Sequence, residues 1–195
     1  MATGKYISIE EYQQLWDTMI IDKTKLQYVI NDAKKILRYR ERFQTLSEKT
    51  GNKIPWYFLG IVYFREEGCN FRGHMHNGDP LKHKTTNVPM NRPLHTPADP
   101  AGYTFEESAL DLIKFKEWDK VRAWILPIML YHLEANNGFG YRSKDIHSPY
   151  LWNCTNHYEK GYYVADHKFD YDTVCKSTGA APLMRYLTDK TLGLV

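Results

Sequence analysis

Apolar positions recur at helical spacing along much of the chain. The pattern predicts a first helix over 9–20, opened by a capping box of Ser8 and Glu11. A second helix is predicted over 25–49, with Lys and Arg on its solvated side. The next segment, 55–67, is apolar on every side, so it is expected to form a central, buried helix.

The periodicity disappears over 70–102, where Gly, Pro, His and Asn dominate. A long irregular stretch inside a compact domain is usually functional. A capping box of Thr104 and Glu107 then opens another helix, and a long helix over 118–137 is expected to kink at Pro127. A second loop over 139–169, rich in Tyr, His and Asn, precedes short helices predicted over 170–177 and 182–187.

These elements predict a mostly α, single domain of residues 1–195 with long loops. Residues 1–50 are expected to form a helical extension packed on a core of residues 51–195.

Composition is that of an ordinary globular protein, with 43% hydrophobic and 25% charged residues. The net charge of +3 is spread along the chain, so we expect no nucleic-acid partner. Three scattered cysteines predict reduced thiols rather than a disulfide framework. The sequence has no recognisable signal peptide and no apolar run of about 18 residues, so neither export by its own signal nor membrane insertion is expected.

Glu66 and Glu67 stand where the most apolar predicted helix stops. The negative end of the helix dipole and a hydrophobic wall both disfavour ionisation, so the pKa of a carboxyl group there is expected to rise. Glu66 lies about one turn from Val62 and Tyr63 and is expected to face the core side. It is therefore a candidate general acid, and the alternative is a pair of solvated glutamates at a helix end.

The loop that follows contains His74, His76, Asp79 and His83. Their spacing matches neither the HExxH motif nor a Cys/His finger, so no metal or other cofactor is predicted, although a zinc hydrolase stays an alternative. Asn77-Gly78-Asp79-Pro80 predicts a tight turn that could aim Asp79 across a cleft as a second catalytic carboxylate. No further triad residue supports a nucleophilic role for Cys69 near His74.

The second loop offers rings and amides typical of a sugar-binding groove. Asn137, Tyr141 and Arg142 lie in a glycine-rich stretch, and Tyr150 and Trp152 follow. The glycines let backbone approach a ligand closely. A packed aromatic loop is the alternative interpretation of the same residues.

Taken in order, these segments resemble a family of phage and bacterial lysozyme-like proteins, or muramidases. The resemblance covers roughly residues 55–185 and no part of the first 50. The segments that carry it are Glu66-x-x-x-Asn70-Phe71, His74-x-His76-Asn77-Gly78-Asp79-Pro80-Leu81, Val88-Pro89, Arg92-Pro93, Thr104-Phe105-Glu106-Glu107-Ser108-Ala109, Asn137-Gly138-x-Gly140-Tyr141-Arg142 and Ser148-Pro149-Tyr150-Leu151-Trp152.

The resemblance implies a lysozyme-like fold with Glu66 as the acid that cleaves the β-1,4 bond between N-acetylmuramic acid and N-acetylglucosamine. Many members of the wider superfamily have Ser after this Glu, where the chain has Glu67. The Gly-Leu-Met-Gln motif of lytic transglycosylases is absent, which favours a hydrolase. Asp79 as the partner carboxylate is our own inference. The residues expected to bind glycan strands are His76, Asn77, Asn137, Tyr141, Arg142, Tyr150 and Trp152.

Such a protein is expected to be a phage endolysin that waits in the host cytoplasm for a holin or another export route, or a virion-associated lysin. A lytic transglycosylase acting on the same peptidoglycan is one alternative. A non-catalytic wall-binding or virion structural protein of the same fold is another.

Overall fold

The computed structural model describes residues 8–51, 53–165 and 167–192, and most of its regular structure is helical. The helices are α1 (Ile9–Asp17), α2 (Leu26–Arg38), α3 (Arg40–Lys49), α4 (Trp56–Glu67), α5 (Phe105–Phe115), α6 (Leu126–Asn137), α7 (Pro149–Trp152) and α8 (Ala180–Leu192). Two short antiparallel strands, β1 (Tyr162–Ala165) and β2 (Lys168–Asp170), form a hairpin. The prediction of a mostly α protein is confirmed. None of the helices in the described ranges combines the length and the apolar character that a membrane span requires.

The chain divides into two compact units. One unit, Lys35–Trp124, is continuous in sequence, and the other combines the chain up to Lys34 with the chain from Ile125 onward. Neither boundary coincides with the predicted limit of an N-terminal extension at residue 50.

In the continuous unit, α4 is the buried helix that its apolar composition predicts. The helix packs against α3, and the side chains of Phe58, Leu59, Ile61, Val62 and Tyr63 are fully buried. Gly60 permits a close approach, because a Cβ atom there would lie 2.6 Å from Cγ2 of Ile36 and 3.2 Å from the ring of Phe43. The small residue thus sets how closely the neighbouring side chains approach α4.

Local signals in the sequence explain where α4 and α5 begin or end. Pro55 precedes the first turn of α4, and Gly68 ends it in the left-handed conformation with φ of 59°. Thr104 and Glu107 form the reciprocal capping box of α5. The box predicted for α1 is only half formed: Ser8 accepts the N–H of Glu11, but the Glu11 side chain pairs with Arg142 instead.

The two long predicted helices are each interrupted. The helix predicted over 25–49 breaks at Tyr39, whose backbone leaves helical geometry while its ring packs against Phe71. The helix predicted over 118–137 is also wrong as a single element. A short 3₁₀ turn, Trp118–Lys120, comes first, and α6 starts only at Leu126. Pro127 therefore lies in the first turn of α6, where its missing N–H is harmless, and does not kink a helix.

The second predicted loop contains more regular structure than its composition indicates. It contains a 3₁₀ turn over Gly140–Lys144, helix α7 and most of the hairpin. The rings of Tyr163 and Phe169 face each other across β1 and β2, a pairing that stabilises a hairpin. The helix predicted over 170–177 is absent from that described stretch, because the Asp170 carboxylate accepts the N–H groups of Asp172 and Thr173. The last predicted helix is present and longer, as α8.

Candidate functional site

The candidate acid residues lie at the C-terminal end of α4. Glu66 and Glu67 form its last turn, and the N–H of Gly68 closes it with a 2.9 Å bond to the Phe64 carbonyl. Both glutamates are half-buried, whereas the middle of the helix, up to Tyr63, is fully buried. The chain thus places two adjacent carboxyl groups where a hydrophobic core meets solvent.

Glu66 lies near a lysine at the end of α5. The Lys116 ammonium is half-buried, and burial lowers its pKa while the negative charge of Glu66 raises it. Glu66 therefore belongs to a partly buried pair of opposite charges. A neighbouring positive charge favours the ionised form of a carboxyl group.

Glu67 contacts the loop that follows the helix. Its carboxylate accepts a 2.6 Å hydrogen bond from Asn70. A Cβ atom at Gly73 would lie 2.6 Å from Cδ of Glu67, and one at Gly78 would overlap the other carboxylate oxygen. Burial raises the pKa of Glu67, the change predicted for a carboxyl group at this helix end. The two glycines thus leave the space that this carboxylate occupies.

The tight turn predicted after the helix is confirmed. Gly73 and Pro80 form an isolated antiparallel bridge, and the N–H of His74 donates to the Asp79 carbonyl at 2.7 Å. Gly78 has a φ of 81°, which favours glycine. The N–H of Gly78 closes the turn on the His74 carbonyl at 2.9 Å.

Asp79 anchors this turn to the next part of the loop. Its carboxylate accepts the backbone N–H groups of Thr86 and Asn87 at 2.7 and 2.8 Å and the Asn87 amide at 2.6 Å. The half-buried Asn77 side chain also donates to it, at 3.2 Å. These hydrogen bonds, led by the backbone bond from Asn87, outweigh the effect of burial and lower the pKa of Asp79 from 3.8 to about 2. The geometry favours a structural role for this carboxylate over the catalytic one predicted from the turn.

Asp79→Asn is expected to destabilise the fold by about 2 kcal/mol at neutral pH, because an amide cannot accept from all of these donors. The folded-state pKa lies below the ordinary value, so the stabilisation is present above pH 3.8 and is lost as the pH falls toward 2. Urea unfolding across this range measures the difference between the two proteins. The difference should shrink on acidification, whereas the exposed Asp119→Asn control should show little difference at any pH. A difference that stays constant with pH would contradict this account.

His74 and His76, two of the three histidines of this loop, belong to a buried hydrogen-bond network with α5. His74 Nε2 donates to the His83 carbonyl at 2.7 Å, and His76 Nε2 donates to the Asp111 carboxylate at 2.9 Å. The remaining ring nitrogens both face the Ser108 hydroxyl, at 2.9 and 3.2 Å. Since Ser108 has one proton, it donates to one ring at a time.

This network joins a serine, a histidine and an aspartate as a hydrolase triad does, but with the two ring nitrogens exchanged and without the accessibility of a triad. Ser108 is fully buried and its oxygen accepts the N–H of Met75 at 3.0 Å, so no substrate reaches it. Burial lowers the pKa of His76 to about 4, which keeps the ring neutral. Among the described residues, no group of three His, Cys, Asp or Glu side chains is placed to hold a metal ion. Burial also raises the pKa of Cys69 to about 12, against nucleophilic use of this thiol.

Sequence reasoning missed Ser108 and Asp111. They are one turn apart on α5, polar residues within a face that buries Ala109 and Leu112. Asp111 also accepts the N–H of Leu94 at 3.1 Å and lies 3.1 Å from the guanidinium of Arg92. Polar residues at a spacing of three on a buried helix face are the signal that could have indicated a partner for the loop.

The other predicted binding residues belong to the discontinuous unit, which combines the chain up to Lys34 with the chain from Ile125 onward. This unit contains a cluster of charges around Arg142. The guanidinium donates twice to the Glu134 carboxylate, at 2.9 and 2.8 Å, and once to Glu11 at 2.9 Å. The Tyr12 hydroxyl adds a 2.7 Å bond to Glu134. Arg142 is therefore engaged by carboxylates, and the buried Glu134, which follows the apolar part of α6, has three donors on it.

The aromatic residues predicted for a groove are packed within this unit. Tyr141, Tyr150 and Trp152 are 5%, 5% and 1% exposed, which matches the alternative of a packed aromatic loop. Burial raises the pKa of Tyr141 to about 12, and its hydroxyl accepts the N–H of Tyr163. Asn137 is exposed at the end of α6. Binding of glycan by these residues stays a prediction.

Comparisons of the chain with protein-family models, with curated proteins and with solved structures gave no match.

Proposed function

We propose that the chain is a peptidoglycan muramidase with a lysozyme-like fold. It hydrolyses the β-1,4 bond between N-acetylmuramic acid and N-acetylglucosamine, with Glu66 as the proton donor. Its place would be that of a phage endolysin released through a holin or a similar route, or of a virion-associated lysin.

The observation that carries the proposal is the pair of half-buried carboxyl groups at the end of the buried helix α4. Glycosidic cleavage needs a carboxyl group that is still protonated near neutral pH and that can reach the sugar. A helix end at the edge of a core supplies both the apolar wall and the access. Glu67 shows the effect of that setting, because burial raises its pKa.

In the proposed reaction, the acid gives its proton to the glycosidic oxygen as the bond from this oxygen to C1 breaks. Water then adds to C1 of the oxocarbenium-like sugar. One proton of this water passes to the carboxylate, which restores the acid. This scheme needs no second carboxylate. Asp79 is not assigned that role, because its oxygens are engaged by the loop. Glu67 is the second candidate for the donor, favoured by its raised pKa.

Product analysis tests the proposed function. Purified peptidoglycan is incubated with the protein, and the soluble fragments are separated and weighed by mass spectrometry. Hydrolysis yields muropeptides with reducing N-acetylmuramic acid ends, each one water heavier than the anhydro products of a lytic transglycosylase. Anhydro ends would replace the hydrolase with the transglycosylase. Binding to the polymer without any soluble fragment would replace it with the wall-binding alternative.

A further inference from the structure

The exposed large apolar side chains of the continuous unit belong to one loop, residues 82–95, or adjoin it. Among the residues that the structure describes in this unit, they are Val88, Met90, Leu94 and Phe115, which are 82%, 61%, 69% and 45% exposed. Phe115, at the end of α5, adjoins the loop because the guanidinium carbon of Arg92 lies 4.4 Å from the centre of its ring. Exposed apolar side chains that gather in one region mark an interaction site, whereas scattered ones need no explanation.

Hydrogen bonds hold the 82–95 loop at its base. Thr85 is 2% exposed, its N–H donates to the Arg92 carbonyl at 2.7 Å, and its carbonyl accepts the N–H of Asn91 at 2.8 Å. The Thr85 hydroxyl also accepts the N–H of Arg92 at 2.9 Å. Residues 86–91 therefore form a closed tip that carries Val88 and Met90. A partner that binds this tip has little backbone to order.

The loop carries positive charge and no negative charge. Between Asp79 and Asp99 the sequence has no acidic residue, and Lys82 and Lys84 are exposed. Lys84 lies next to one of the apolar residues, because its ammonium donates to the Leu94 carbonyl at 2.9 Å. Cationic and apolar side chains thus occur together on this loop.

The carboxylates of α5 that face the loop are engaged there. Asp111 is 9% exposed and lies 3.1 Å from the guanidinium of Arg92. Glu107 accepts two backbone N–H groups and lies 3.6 Å from the His95 ring. Lys114, exposed on the same helix, adds another cation. The surplus of positive charge favours an anionic partner.

We propose that the 82–95 loop adsorbs to the anionic headgroups of a phospholipid membrane, with Val88 and Met90 entering the interface. Such a membrane satisfies both features of the loop, because its headgroups attract lysines and its acyl boundary covers aliphatic side chains. A polyanion without an apolar interior would engage the lysines alone. The protein would lie on the membrane surface, which requires no spanning helix. This surface goes beyond the proposed muramidase activity and does not depend on it.

Flotation of the full chain with lipid vesicles tests the proposal. Vesicles of phosphatidylcholine alone are compared with vesicles of equal parts phosphatidylcholine and phosphatidylglycerol. At low ionic strength the protein is expected to bind the anionic vesicles at least about tenfold more tightly, because each lysine near the surface contributes. Added salt should weaken this binding. No binding, or equal binding to both kinds of vesicle, would overturn the proposal.

Two variants of exposed loop residues locate the contact. Met90→Ser is expected to weaken binding to anionic vesicles about five- to tenfold, because less apolar area leaves water. Lys82→Gln is expected to weaken it about fivefold. The matched controls are Ile20→Ser, at a residue that is 66% exposed in the discontinuous unit, and Lys53→Gln, at an exposed residue of the continuous unit outside the loop. Both controls should bind like the wild type.

Three outcomes would contradict the assignment. A loss in Lys82→Gln without any loss in Met90→Ser would show attraction to negative charge without entry of the tip. Equal losses in the controls would show adsorption that does not use the loop. Self-association without vesicles, measured by sedimentation and abolished in Met90→Ser, would assign the loop to a second copy of the chain.

Discussion

Glu66→Gln is expected to slow the release of reducing ends from peptidoglycan by about two to four orders of magnitude, the usual contribution of a positioned general acid. Glutamine preserves the shape of the side chain but has no proton to give to the glycosidic oxygen. The initial rate of reducing-end release at saturating polymer measures the effect. Because Glu66 is half-buried at a helix end, folding is expected to survive, and the circular dichroism spectrum and the melting temperature should change little.

Glu48→Gln is the matched control for this experiment. Glu48 is exposed on α3 in the same unit, so its replacement removes one charge without touching the end of α4. Glu48→Gln should therefore retain the wild-type rate. A Glu66→Gln protein that clears peptidoglycan as fast as this control would remove Glu66 from the mechanism.

Glu67→Gln distinguishes the two adjacent carboxyl groups. If Glu66 is the donor, Glu67→Gln should retain most of the rate. If Glu67 is the donor, its replacement should cause the large loss, and the wild-type rate should fall as the pH rises through the raised pKa of this group. A large loss in both variants would indicate that the two carboxyl groups act together.

Asp111→Ala is expected to destabilise the protein by about 3–5 kcal/mol, the cost of removing one partner from a buried ion pair. Three groups lose their acceptor or counter-ion: His76 at 2.9 Å, Leu94 N–H at 3.1 Å and the Arg92 guanidinium at 3.1 Å. The side chains of His76 and Arg92 are 0% and 11% exposed, so water does not readily replace the carboxylate. Urea unfolding measures the loss.

Asp119→Ala serves as the control, because Asp119 is exposed in the 3₁₀ turn that follows α5. Its replacement should change stability by no more than about 0.5 kcal/mol. An Asp111→Ala loss below about 1 kcal/mol would show that the network contributes little and that the loop is held by other contacts.

The parts of the fold that could be predicted are those determined by neighbouring residues. Pro55 and Gly68 delimit α4, and Thr104 and Glu107 open α5, because each signal acts within one turn. The break at Tyr39 was not predictable, since its ring packs against a residue more than thirty positions away. The hairpin depends likewise on the pairing of its strands and not on either strand alone.

In the candidate site, too, the features set by neighbouring residues could be predicted and those set by distant partners could not. The position of the two carboxyl groups at the end of α4 follows from a segment that is apolar on every side and ends in two glutamates. The state of each loop residue depends on distant partners: Asp79 on Thr86 and Asn87, and His76 on Asp111. The turn could therefore be predicted, whereas the structural use of its carboxylate could not.

The division of the chain has a consequence for the order in which its parts become available during synthesis. Lys35–Trp124 is one uninterrupted stretch, so all of its residues have been made before any residue from Ile125 onward. The discontinuous unit is different, because its charge cluster joins residues that are far apart in the sequence. Tyr12 and Glu134 are 122 residues apart, and Glu11 and Arg142 are 131 apart. Helix α1 therefore leaves the ribosome before Glu134 and Arg142 have been made. Until then, the Tyr12 hydroxyl and the Glu11 carboxylate stay hydrated.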